Sequence, residues 1–209
     1  MSPLQAFGAF VVAAALVTLA PGLDTALVLR TTAAQGRRAG ALAALGIGLG
    51  CMVWGAAAAL GLGALLLVSK SLYALVRLVG AAYLIWMGAH LLVRPRTHMI
   101  EAGAPPPRTG RPSTPFWRGL GTNLLNPKVG VFYVSFLPAF AARGVAFAPW
   151  GLLLTLTHVI LGLVWFALII RLLERARAWL DRPAVVGGLD RITGLVFIGF
   201  GADLALGRR

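Results

Sequence analysis

Apolar residues run along this chain in long blocks, divided by short charged or turn-forming clusters. No charged side chain occurs in residues 39–69 or in 144–170. Each of these stretches exceeds the roughly 20 residues needed to cross about 30 Å of hydrocarbon as a helix. The dividing clusters are Arg37-Arg38, Ser69-Lys70-Ser71 and the turn region at Arg143-Gly144. The pattern predicts six membrane helices, over residues 4–29, 39–68, 71–93, 116–141, 146–170 and 186–206. The sixth is the least apolar, since only residues 192–202 are free of charge between Arg191 and Asp203. Residues 171–182 read either as an interfacial helix, with Leu172, Leu173, Ala176, Trp179 and Leu180 on one face, or as an extension of the fifth span.

Composition supports the same class. Of 209 residues 59% are hydrophobic and 12% charged, about half the charge of a soluble domain. The mean hydropathy is +0.85. The first 20 residues resemble the apolar core of a signal peptide, but no basic stretch precedes it and the run continues past Pro21-Gly22, so it reads as the first span. A net charge of +13 raises nucleic acid as a partner. The basic residues argue against it, because they flank apolar runs and form no aromatic-interleaved patch. They explain topology instead. Thirteen Lys and Arg fall in the loops after spans one, three and five, against five on the other side. The thirteen should face the cytoplasm, which puts both termini outside the cell inner (plasma) membrane.

The linker 94–115 carries six prolines and four arginines and should be extended or disordered. It divides the single membrane domain, 1–209, into three-span halves at 4–93 and 116–209. An odd number of spans inserts the second half upside down. The expected fold is therefore all-α: a polytopic membrane protein of six transmembrane helices as two inverted three-helix halves. A faint echo accompanies this, Gly88-Ala89-His90-Leu91 against Gly201-Ala202-Asp203-Leu204, and Leu19-Ala20-Pro21 against Leu125-Asn126-Pro127.

Two of the apolar runs are interrupted, at Pro21-Gly22-Leu23-Asp24 and at Asn126-Pro127-Lys128. Proline removes a backbone donor, and each break carries one ionisable side chain at apolar depth. Such groups cost roughly 2.5–3.5 kcal/mol each on insertion scales and mark functional sites. Broken helices in matching positions of two halves point to a transporter's binding site. Asp24 reads as a carboxylate that binds a substrate ammonium and exchanges a proton, or as a helix cap. Lys128 reads as its partner or that of a substrate carboxylate, or as a lysine snorkelling to water. Asn123, Asn126 and Thr122 can satisfy freed backbone groups or line the site. The acid and the base together suit a zwitterion.

His158 is the only histidine well inside a span, and reads as an interhelical hydrogen bonder or as a substrate or proton group. Gly46 and Gly50, in GxxxG spacing, indicate close helix packing or a wall of the site. Cys51, the only cysteine, is expected to be a small buried residue. Trp54, Tyr73, Tyr83, Trp86, Trp117, Tyr133, Trp150 and Trp165 fit interfacial belts and are assigned no chemistry. No metal site and no cofactor are expected.

The Pro21-Gly22-Leu23-Asp24 break, the glycine-rich second span, Gly80-Ala81-Ala82-Tyr83-Leu84 with Gly88, and Phe116-x-x-Gly119-Leu120-x-x-Asn123-Leu124-Leu125-Asn126-Pro127-Lys128 form one set. Together they resemble the lysine exporter / homoserine–threonine efflux (LysE/RhtB) family of bacterial inner-membrane translocators, over nearly the whole chain. The resemblance implies six spans, proton-driven export of amino acids or derivatives, and dimers in many members. The family has Pro-Gly-Pro followed by an acid where this chain has Leu23, which should soften the first break.

The sequence thus reads as a secondary amino-acid exporter in the lipid bilayer, with Asp24, Lys128, Asn126, Asn123, Pro21, Gly22, Pro127 and His158 at the substrate and Asp24 coupling protons. A metal-cation or organic-toxin carrier would want more intramembrane carboxylates or histidines. An intramembrane enzyme would need a nucleophile with a base, or a metal constellation, and the chain has no His-x-x-Glu-His and no Gly-x-Ser-x-Gly. It is therefore not read as an enzyme. A subunit without transport of its own would use these polar groups for helix pairing alone.

Overall fold

The computed structural model describes residues 1–20, 22–68, 70–95, 114–173, 175 and 182–206. Every regular element among them is helical. In chain order they are α1 (Pro3–Leu19), α2 (Leu23–Gln35), α3 (Arg37–Val68), α4 (Lys70–Val93), α5 (Thr114–Leu124), α6 (Pro127–Val131), α7 (Phe147–Arg171) and α8 (Pro183–Leu206). A π-helical turn at Phe132–Phe136 and a 3₁₀ turn at Leu137–Phe140 continue α6.

Local chemistry sets the ends. Ser2 opens α1 with a reciprocal capping box, accepting from the Gln5 amide while the Gln5 side chain accepts from the Ser2 amide. Gly36, at φ 85°, supplies the left-handed residue that closes α2 before α3 begins. The predicted fourth span, 116–141, is one helix in hydropathy but four pieces in the structure: α5, α6, the π turn and the 3₁₀ turn. The break between α5 and α6 is the expected one at Asn126-Pro127, while uniform apolarity carries no signal for the π and 3₁₀ turns. Thr114 and Pro115 belong to α5 rather than to the linker, and residues 96–113 of the predicted linker lie outside the described residues. Much of the predicted interfacial stretch, 174 and 176–181, also lies outside them.

Helices α3 (over Arg37–Gly61), α7 and α8 are long and apolar enough to cross a bilayer, and α1 with α2 does so as a pair bent by 51°. The apolar stretches Leu78–Val93 and Pro127–Phe140 are shorter. This is a multi-pass helical membrane protein. Its surface is that of a protein solvated by lipid: Leu4, Val12, Leu45, Val53, Val79 and Val164 point outward, while Ala6, Ala13, Ala14, Ala43, Ala58 and Ala59 are buried. With no hydrophobic drive between helices in hydrocarbon, small residues permit the close contacts that hold the bundle.

Two seams show this. Where α3 meets α5, a Cβ on Gly46 would collide with the Phe116 carbonyl, and one on Gly119 with the Ala43 carbonyl. Where α4 meets α8, a Cβ on Gly88 would lie 2.5 Å from the Gly194 carbonyl, and one on Gly194 would lie 2.7 Å from the Gly88 carbonyl. Seven residues away, a Cβ on Gly201 would come within 2.9 Å of the Ala81 carbonyl. Elsewhere the core includes an aromatic cluster. Phe10, Phe132, Phe136 and Phe140 are buried together, with Phe10 edge-on to Phe140 at 5.4 Å and Phe136 against Phe200 at 4.4 Å. The Trp150 indole N–H donates to the Phe140 carbonyl at 2.8 Å. This cluster packs the side of the bundle nearer the start of α1.

Gly46→Leu should prise α3 from α5 and cost at least the 1–3 kcal/mol of an overpacked core. Gly8→Ala, whose Cβ meets nothing within 4 Å, should not. Thermal unfolding in detergent, followed by size-exclusion fluorescence, is expected to show a large drop for the first and little change for the second.

Candidate functional site

The first break separates α1 from α2. Helix α1 ends on Ala20 in an extended conformation, and α2 starts after Gly22, extended at φ −158°. Pro21 lies outside the described residues. Leu23 is 59% exposed, and the pair still bends by 51°, so the break survives without a second proline. The last carbonyls of α1 have no helical partner, and in hydrocarbon they cannot turn to water. Lys128 supplies the partner: its Nζ donates to Val17 O and to Ala20 O, both at 2.9 Å. The ammonium also sits at the negative end of the α1 dipole.

The second break lies between α5 and α6. Asn126 caps α6, its Oδ1 accepting from the Lys128 amide at 3.1 Å, and Pro127 takes a first-turn position where its missing N–H costs nothing. That cap aims the Lys128 side chain across to the first break. The two interruptions therefore complete each other.

Asp24 stands in the first turn of α2, where the helix dipole favours a carboxylate. Its Oδ2 accepts from the Asn123 amide at 2.8 Å. Asn123, fully buried, also donates to the Cys51 sulfur at 3.4 Å. Gly50 makes room, since a Cβ there would lie 2.5 Å from Asn123 Oδ1. The GxxxG pair of α3 thus serves both α5 packing, through Gly46, and the site, through Gly50. The second carboxylate oxygen, Asp24 Oδ1, is buried and has no hydrogen-bond partner among the described residues. A carboxylate oxygen left this way is costly in a protein interior, and a cationic ligand would relieve it.

Gly22, Asp24, Asn126, Lys128 and His158 all line one cavity of ≈ 60 Å³. Its other walls are mainly apolar, from Val17, Ile47, Val159, Leu163, Phe132 and Phe166. The structure thus brings five predicted residues together, with Asn123 one step behind Asp24. Pro127 stands apart: it faces a separate apolar cleft of ≈ 670 Å³ with Trp54, Leu125 and Val131. Proline at this point shapes the backbone, and its ring lies on the far side of the break. Asn126 borders both spaces.

Two residues near the cavity are not evident from the sequence. Tyr133, expected at an interface, is fully buried, and its hydroxyl lies 2.8 Å from His158 Nδ1. The available signal was depth: no charge occurs between Lys128 and Arg143, so Tyr133 is far from any interface. Trp150, in the first turn of α7, is buried against the protein, while Trp86 and Trp117 are exposed at 60% and 62%. Cys51, buried as expected, additionally lines the cavity and accepts from Asn123. Among the described residues no group of three or more His, Cys, Asp or Glu is placed to hold a metal.

Replacing Lys128 by Met should strand the Val17 and Ala20 carbonyls. With charge-assisted bonds each worth about 1.5–3 kcal/mol, the loss is expected to be several kcal/mol and to appear as a lowered denaturation midpoint in detergent. Lys128→Arg, which keeps the donors, should recover part of it.

Residues 15–208 match the LysE type translocator family. The chain is 29% identical to the threonine efflux protein of Escherichia coli (strain K12), over 91% of this chain and 92% of that one. It is 33% identical to the leucine efflux protein of Enterobacter sp. (strain 638), over 95% and 94%. It is also 28% identical to the uncharacterized membrane protein YrhP of Bacillus subtilis (strain 168), over 95% and 97%. No solved structure gives a significant match. With the family match running from the last turns of α1 through the end of α8, this chain belongs to the LysE type translocator family.

Proposed function

We propose that this protein is a proton-coupled secondary exporter of amino acids or their derivatives in the cell inner membrane. The observation that carries the reading is the shared cavity: Asp24 and Lys128, more than a hundred residues apart, line one space between two broken helices. A zwitterion matches that pair, its ammonium meeting the unpartnered Asp24 Oδ1 and its carboxylate drawn by the Lys128 charge. Gly22, Asn123 and Asn126 shape and orient this site, Pro21 and Pro127 create the breaks, and His158 lies on the substrate's side. The single acid in a largely apolar wall favours an uncharged side chain, in keeping with relatives named for threonine and leucine efflux.

The cavity has room for about two water molecules, short of an amino acid, so loading requires its walls to part. Substrate enters from the cytoplasm while Asp24 is ionised. After the site turns outward, Asp24 takes a proton from the outer side, the ammonium loses its counter-charge and the amino acid leaves. Asp24 releases the proton on returning inward. Alternating access of this kind is the natural motion of two inverted halves of three spans each. Supporting that symmetry, the echo that pairs Gly88 with Gly201 also pairs Ala81 with Gly194, and it carries the Gly88–Gly194 approach onto the Ala81–Gly201 approach. The charge distribution orients both termini outward and the linker inward.

Reconstituted into proteoliposomes, the protein should move amino acids faster when the outer face is made acidic. Asp24→Asn should abolish that response, lowering gradient-driven flux at least tenfold while the protein stays folded. Full retention of the response in Asp24→Asn would refute the coupling role.

A further inference from the structure

Besides Asp24 and Lys128, the described polar residues lining the cavity are Thr18, Thr25, Cys51 and Asn126 and, on α7, a ring that the proposed transport cycle does not use. His158 lines the cavity from α7, among Val159, Leu163 and Phe166. Its Nδ1 is engaged by the Tyr133 hydroxyl at 2.8 Å, and the ring packs on Phe132 at 4.8 Å. Tyr133 is fully buried and takes no part in the lining, which leaves Nε2 as the ring nitrogen available to the cavity that His158 lines. The ring is clamped, with one nitrogen occupied and the other presented.

We infer that His158 Nε2, oriented by Tyr133, selects substrates with a short side-chain hydroxyl over their apolar isosteres. Both tautomers of the ring lead to the same preference. If Tyr133 donates to Nδ1, Nε2 carries the proton and donates into the cavity; if Tyr133 accepts, Nε2 is an acceptor. A hydroxyl satisfies either, because it both donates and accepts. A methyl group satisfies neither, and displaces whatever water was there, leaving a buried ring nitrogen unpaired. In this arrangement His158 touches the substrate, and Tyr133 is a positioning residue acting through it.

This rests on the amino-acid export reading, and threonine and valine test it because they differ only by hydroxyl against methyl. Counterflow of each is measured in proteoliposomes of the full-length protein. The wild type should favour threonine by about tenfold, the ratio expected for one neutral hydrogen bond. His158→Leu should bring the ratio to about one or below it, whereas His158→Gln, which keeps a donor and an acceptor, should retain much of it. Tyr133→Phe preserves shape and packing while freeing the ring, and should also erode the ratio, which a purely structural role would leave untouched. A wild-type ratio near one, or a threonine preference that persists in both His158→Leu and Tyr133→Phe, overturns the inference while leaving amino-acid export standing. Exchange of no amino acid by the folded wild type overturns both.

Discussion

A lysine ammonium resting on two main-chain oxygens from the opposite half of the chain is the contact on which this architecture depends. Breaking a helix inside hydrocarbon exposes peptide groups that nothing in the bilayer can satisfy. The first break leaves Val17 O and Ala20 O open, and the second supplies the cation that closes them. Because the Asn126 cap and Pro127 fix where Lys128 emerges, one interruption is stable only in the presence of the other. The arrangement also solves an electrostatic problem. At the interrupted first span the negative end of α1 meets Lys128, and the positive end of α2 carries Asp24. Each charge at depth is opposed by a helix terminus of the other sign.

That contact leaves a cavity whose charged groups, Asp24 and Lys128, stand at the two breaks, with His158 of α7 also in its wall. Asn123 holds one oxygen of Asp24 and leaves the other open, so the carboxylate is oriented without being saturated. A fully satisfied acid would be structural. A fully open one would be too costly to bury. Glycine at position 50 is what allows the compromise, by letting Asn123 slip against α3 and reach across to α2.

The parts of this site that could be read from the sequence were those with local signals. Proline beside an ionisable residue in an apolar run announces itself, and Asp24, Asn126 and Lys128 were legible for that reason. Convergence was legible only as a bet, since nothing in either segment states its distance from the other. Tyr133 and Cys51 carry no local signal for their place at the site, because their neighbours, not their own flanks, give them meaning. Tyr133 meets His158 because α6 runs into a π turn, a winding that a uniformly apolar stretch does not encode. The helical character of the runs was readable from hydropathy and the break at Asn126-Pro127 from its proline, whereas the π and 3₁₀ turns that follow it were not.

The paired glycine approaches between α4 and α8 have a mechanical corollary. Gly88 against Gly194 and Ala81 against Gly201 are two pins set seven residues apart on each helix, roughly 10 Å along the axis. Sliding either helix lengthwise would carry bulkier side chains into main chain at both pins at once. Rotation about one pin is blocked by the other. The couple therefore behaves as a girder, and any rearrangement that opens the chamber must be taken up between it and the interrupted helices, where Met87, Leu91 and Phe197 share a cavity with Ala20, Gly22 and Lys128.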